Sequence, residues 1–233
     1  FDLEAIAIIA QNMGIKTVVD NTFATPYLQQ PLKYGIDLVV HSSTKYLNGH
    51  GTGISGVVIG KDNSLVNGKV KNIQKMFGAC ASPFEAYLLN NGLKTLALRM
   101  DKHCENAEKL AYFLKNHEFV NHVNYLGDID HPDHLLAKDQ MKKYGGMLSF
   151  EIKGGFENSI QFLRNIQFCT VTASLGTPDT LVSHPASMSH AKMDKMQRLE
   201  YGISDGLIRV SVGLENIEDI VADFEQALEK LNV

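Results

Sequence analysis

The sequence contains no tryptophan, only three cysteines and six prolines, and no long uninterrupted apolar run. Its apolar stretches fall well short of the ~20 residues a membrane-spanning helix needs. Cys80, Cys104 and Cys169 are odd in number and far apart, which excludes a disulfide framework and any paired-cysteine metal spacing. A reducing, cytoplasmic setting is expected, and no secretory signal is visible within the 233 residues. A charge excess is missing too. With 22 basic and 26 acidic residues the net charge is −4, and the charges are interspersed. There is no electrostatic case for a nucleic-acid partner or an anionic membrane. None of the nine histidines falls at the helical i, i+4 spacing of a metal site, so no metal is expected.

What is present reads as an ordinary globular chain, 44% hydrophobic and 21% charged, long enough to bury a sizeable core. Leu3, Ile6, Ala7, Ala10 and Met13 recur at helical spacing, with Asp2 as N-cap and Gly14 as C-cap. A chain that opens at Phe1 inside a helical pattern implies that further sequence precedes it. Short apolar runs at 16–19, 36–40 and 55–59 predict buried strands, alternating with helix or loop. That is the signature of an α/β fold with a mostly parallel sheet. Helical spacing from Ser82 to about His117, with a break near Asn90-Asn91-Gly92, suggests a bridge between domains. We place the boundary near residue 96, giving 1–96 and 97–233. Beyond it, strands at 119–125, 146–152, 170–173 and 207–212, with helices at 158–165 and 216–231, predict a smaller α+β domain.

Two strand ends carry the chemistry. Asp20 closes the first strand, and Lys45 lies in the loop after the second. In open α/β sheets, ligands bind just outside the carboxyl ends of the strands. Taken singly, an aspartate there is as readily a turn cap, and a lysine a solvated charge. The segment His41-Ser42-Ser43-Thr44-Lys45 shifts that balance, because hydroxyls and backbone amides beside one lysine, followed by Gly49, Gly51 and Gly53, suit a phosphate ester. It is not a P-loop, since the lysine follows the hydroxyls. A lysine and an acid around a phosphate site match the needs of pyridoxal 5'-phosphate, whose ring acts as an electron sink.

The stretches Val18-Val19-Asp20-Asn21-Thr22 and His41 to His50 closely resemble the cofactor motifs of the pyridoxal-phosphate-dependent Cys/Met-metabolism (trans-sulfuration) enzymes. The resemblance continues through Gly92-Leu93-Lys94-Thr95-Leu96, Ser174-Leu175-Gly176, His184-Pro185-Ala186-Ser187-Met188 and 203–215. It implies a fold-type-I transferase: the large-domain sheet, without its N-terminal part, followed by the small C-terminal domain. It also implies roles. Lys45 corresponds to the Schiff-base lysine that shuttles protons, Asp20 to the partner of the pyridine nitrogen, and Ser42 and Thr44 to phosphate ligands. Arg209 corresponds to the arginine that binds the substrate α-carboxylate, with Ser174 beside it; a guanidinium fork suits that group. Without the resemblance, Arg209 reads as a surface arginine paired with Glu215 or Asp205. The family's stacking tyrosine and Gly-rich phosphate loop are not among these residues. The implied assembly is a homotetramer of dimers that share active sites, acting on a small amino-acid substrate.

Within the family, Gly145-Gly146-Met147 to Gly155 resembles the methionine γ-lyase branch, although Ile73-Gln74-Lys75-Met76 departs from it. Enzymes specialised for cystathionine lysis carry glutamate just before the serine, where this chain has Ala173. The implied reaction is γ-elimination from methionine or homocysteine to a thiol, 2-oxobutanoate and ammonia. Cystathionine cleavage and γ-replacement are the alternatives.

Overall fold

The computed structural model describes residues 1–231. The chain divides into two units: residues 1–100 with 135–143, and residues 101–134 with 144–231 of those described.

In the first unit, α1 (Leu3–Asn12) starts where the Asp2 carboxylate accepts the Ala5 N–H at 2.9 Å, and Gly14 follows its end in the left-handed conformation. Asp2 is the N-cap that the sequence places there, whereas the C-cap is Met13 and the expected Gly14 follows it by one residue. Strands β1 (Val18–Asp20), β2 (Leu38–Ser42) and β3 (Gly56–Gly60) form a sheet in that order. β1 and β2 run parallel with Asp20 opposite Val40, and β3 returns antiparallel to β2. Each strand sits one or two residues later than its apolar run. β1 is also less buried than expected, with Val18 57% exposed. Its apolar character belongs to an edge strand, paired only with β2 among the described residues. Ala7, Ile36 and Val39 form a small core under the sheet. The short helix α2 (Thr25–Leu28) and a 3-10 turn at Pro31–Tyr34 lie between β1 and β2. After β3 come a π-helical stretch (Ser64–Val70), α3 (Lys71–Phe77) and α4 (Pro83–Leu93), the last N-capped by the Ser82 hydroxyl. The long helical pattern breaks at Lys94-Thr95, after which α5 (Leu96–Lys115) begins. Of α6 (His134–Gln140), Gln140 bonds to both Phe1 O and Leu3 N, which ties this late segment to the first unit.

The second unit is an α+β layer. Strands β4 (Val120–Asn124), β5 (Met147–Ile152), β6 (Thr170–Val171), β7 (Leu181–Ser183) and β8 (Leu207–Ser211) form one sheet in the order β4-β5-β8-β7-β6. Only β6 and β7 are parallel. β5 and β8 alternate along the pleat: Leu148, Phe150, Ile152, Ile208 and Val210 are buried, and Ser149, Glu151, Leu207 and Arg209 turn the other way. The buried face packs on α5, α7 (Gly155–Asn165) and α9 (Ile217–Leu228), and α8 (Lys195–Glu200) completes the unit. Phe150, Phe162 and Phe224 form its aromatic centre, at ring separations of 5.4 to 6.1 Å.

Candidate functional site

The parallel pairing of β1 with β2 aligns their carboxyl ends. Asp20 lies opposite Val40, and the period of two puts Ser42 on the same face of the sheet. A local turn fixes the acid. One Asp20 oxygen accepts from the Thr22 amide at 3.0 Å and from the Thr22 hydroxyl at 2.5 Å. That hydroxyl also accepts the Ser42 N–H at 2.8 Å, so a single side chain ties the two strand ends together. The second Asp20 oxygen accepts no hydrogen bond among the described residues, and the side chain is exposed. Sequence reasoning passed over Thr22, although the Asp-x-Thr spacing is a side-chain turn signal.

The loop beyond β2 is tightly wound: Lys45 N bonds to Ser42 O, Asn48 N to Ser43 O, and Gly49 N to Lys45 O. The hydroxyls of Ser42, Ser43 and Thr44 differ in their surroundings. Ser43 is fully buried and bonded to the Ser55 hydroxyl at 2.6 Å. Thr44 exchanges bonds with the Ser55 backbone, its hydroxyl accepting from N at 3.1 Å and lying 3.3 Å from O. Ser42 is half-buried, and its hydroxyl has no partner among the described residues. Lys45 is half-buried at the start of the turn. Behind the sheet, His41 is buried, and burial pushes its imidazole below the usual range against the opposing pull of Asp20. Its Nδ1 has no hydrogen-bond partner.

These donors fit a phosphorylated pyridine aldehyde. An acid with one oxygen locked and one open can hold a pyridinium N–H, the free Ser42 hydroxyl can donate to a phosphate, and a lysine follows Ser42 by three residues.

In the second unit, Arg209 on the open face of β8 sits opposite Ser149 of β5 and Ser183 of β7. Its Nη2 donates to the Ser174 carbonyl at 3.1 Å, bringing these two predicted residues together. The contact uses the backbone carbonyl of Ser174. Ser211, two residues along β8, accepts the Gly176 N–H at 2.9 Å and anchors the same loop. Glu215 and Asp205 have other partners. Glu215 accepts from Thr180 N and Oγ1 at 2.5 and 2.9 Å, and Asp205 pairs with Arg198 and Lys195, which hold its carboxyl below the usual range.

Two further reactive side chains, His184 and Cys169, are buried. His184 is buried with Nδ1 on the Ser187 hydroxyl and Nε2 on the Asp205 carbonyl, both at 2.9 Å. Burial, with Asp223 close by, pushes the Cys169 thiol far above its normal value. No helix among the described residues is long and apolar enough to cross a membrane.

An α/β sheet whose aligned strand ends bring an acid and a hydroxyl to one face, with a lysine in the loop that follows, is a framework suited to a cofactor. The family model for "Cys/Met metabolism PLP-dependent enzyme" matches residues 1–229, and the chain belongs to that family. An L-methionine γ-lyase of Fusobacterium nucleatum is 50% identical over 231 residues, 99% of this chain and 58% of that protein. A cystathionine β-lyase of Coxiella burnetii is 47% identical over 227 residues, 97% of this chain and 59% of that protein. Among solved structures, cystathionine γ-lyase from Lactobacillus plantarum complexed with L-serine superposes with a TM-score of 0.94 at 42% identity, covering 98% of this chain and 59% of that one. The chain thus spans a little under three-fifths of the relatives it matches.

Proposed function

We propose that the protein to which this chain belongs eliminates the γ-substituent of sulfur amino acids: methionine and water give methanethiol, 2-oxobutanoate and ammonia. The observation that carries the reading is the Asp20 carboxylate, held by Thr22 at a strand end with one oxygen open, on the face that also presents Ser42. Bound pyridoxal phosphate supplies a protonated ring that accepts the electron pair released at the adjacent substrate carbon. The chain's own groups do the rest. Asp20 holds the proton on the ring nitrogen, and Ser42 donates to the phosphate, with Thr44 second because Ser55 engages its hydroxyl. Lys45 bonds the cofactor at rest. Once free, its amine would take the proton from Cα, give it up again to become a base once more, and then take a proton from Cβ. Arg209 holds the α-carboxylate beside Ser174, fixing which Cα bond breaks. The site operates in the cytoplasm, within a homotetramer whose dimers share active sites. Exposed apolar side chains at Ile54, Ile73, Met76, Phe77, Phe84 and Tyr87 support that assembly.

Similarity to both methionine and cystathionine lyases makes the substrate the point to test. Ala173 is exposed beside Ser174 and offers no anion for the distal ammonium of cystathionine. Desolvating that ammonium unpaired costs roughly 1–3 kcal/mol, about ten- to a hundredfold in kcat/KM. Methionine and homocysteine should therefore outrun cystathionine, and Ala173→Glu should narrow the gap. A wild-type preference of about tenfold or more for cystathionine contradicts the assignment and favours the cystathionine-lyase reading.

A further inference from the structure

Arg99, on the first turn of α5, is 5% exposed, and among the described residues no carboxylate pairs with it. A buried guanidinium without a counter-ion is costly unless all its donors are satisfied. Backbone carbonyls and one hydroxyl engage four of its five N–H groups. Nη1 donates to Tyr46 O at 2.8 Å, Nη2 to Gly92 O at 2.7 Å and Leu47 O at 3.4 Å, and Nε to the Thr95 hydroxyl at 3.1 Å. Tyr46 and Leu47 directly follow Lys45, and Gly92 lies near the end of α4. One side chain thus binds the lysine loop to the helix break after α4.

The surrounding glycines are shaped to this contact. Gly49 is left-handed, φ 69°, and a Cβ there would run into the Arg99 guanidinium. A Cβ at Gly92 would run into the Asn48 backbone. The loop therefore meets α4 and the arginine by direct backbone approach. Loop carbonyls without strand partners must find donors when buried. A planar fork with five N–H groups reaches two consecutive carbonyls and a third on another element, which a lysine ammonium cannot reproduce.

We propose that Arg99 is a positioning residue for Lys45, setting the place of its backbone through the Tyr46 and Leu47 carbonyls, so that loosening it misplaces the amine without altering the groups that bind substrate. This inference rests on the reading of Lys45 given above.

The test uses the whole polypeptide as it is made, in wild-type, Arg99→Lys, Thr95→Val and Lys45→Ala forms. Each is titrated with pyridoxal phosphate, reduced with borohydride and peptide-mapped, and kcat, KM and melting temperature are measured. Arg99→Lys should raise the cofactor concentration that half-saturates trapping by about tenfold. It should lower kcat by about a hundredfold, as expected for a reacting group displaced by ~1 Å, and leave KM within about threefold. Thr95→Val removes the Nε contact together with the Thr95 hydroxyl's own bond to Gly92 O, and keeps the Nη contacts to Tyr46, Leu47 and Gly92. It should move the same quantities in the same direction by less, so it decides the matter if Arg99→Lys does not fold. Wild-type half-saturation and kcat in a folded Arg99→Lys overturn the proposal, as does an effect confined to melting temperature. A wild-type label that is not on Lys45, or trapping that persists in Lys45→Ala, instead overturns the reading of Lys45, so the two failures are distinct.

Discussion

Asp20 illustrates how far single residues could be read and where reading stopped. Its place at a strand end is legible from the apolar run before it. Its restraint is a matter of geometry: the Thr22 hydroxyl donates to Asp20 and accepts from Ser42 N across the strand pair. The sequence shows Thr22 two residues away, but the second bond depends on strand register, which only the fold fixes. Asp20→Asn keeps the shape and removes the charge that, in the proposed site, would stabilise a pyridinium proton. Cofactor binding should persist while kcat falls about a hundredfold or more, the usual size for losing one well-placed electrostatic group. Steady-state kinetics on the cofactor-saturated variant checks this, and near wild-type turnover would contradict it. Arg209 was legible as a strand residue, but its link to the Ser174 carbonyl was not, because 35 residues separate the two. A pH effect belongs at this scale as well. Burial lowers the proton affinity of His41 in the folded state, so between its folded value and the ordinary ~6.5 the unfolded chain binds more protons. Folded stability should therefore be full above about pH 6.5 and fall as the pH drops below it. His41→Leu, compared with wild type by denaturant unfolding at pH 7.5 and 5.5, should lose less stability on acidification. An equal or larger loss in the variant would sink the assignment.

Elements with strong periodicity were legible in kind and approximately in extent. α1, with its Asp2 N-cap, and α9, with its apolar stripe of Ile217, Ile220, Val221, Phe224 and Leu228, follow their patterns closely. The missed elements are those whose local signal is weak. β7 is three residues, Leu181–Ser183, and exists because β8 and β6 pair with it on either side. The π and α segments over residues 64–77 carry no buried side chain, so no periodic apolar face announced them. Isolation of the strand signal also explains the later starts of β1 and β2, where pairing register decides the ends. The core of the second unit gives the clearest energetic test. Phe150 on β5 is fully buried between Phe162 of α7 and Phe224 of α9. Phe150→Ala should cost about 3–5 kcal/mol of unfolding free energy through lost burial and a residual cavity. Chemical denaturation measures it, and a loss below about 1 kcal/mol would show that the three rings are not a packed centre.

At the scale of the whole molecule, Asp20, Ser42, Thr44 and Lys45 lie in the first unit, and Ser174 and Arg209 in the second. The two styles of sheet on either side of a long helical pattern were readable in the sequence. The return of 135–143 to the first unit was not, since it rests on Gln140 bonding to Phe1 and Leu3 across more than 130 residues. Family membership accounts for why acid, lysine and arginine occur in this order, and physical chemistry accounts for what each can do there. The central claim is that Lys45 holds the cofactor covalently. It is tested most directly by reducing the whole polypeptide with borohydride in the presence of pyridoxal phosphate, digesting it and weighing the peptides. The account predicts one pyridoxyl adduct, on the peptide that contains Lys45 and at that residue. An adduct on another lysine, or none at all in a protein that turns over methionine, would contradict it.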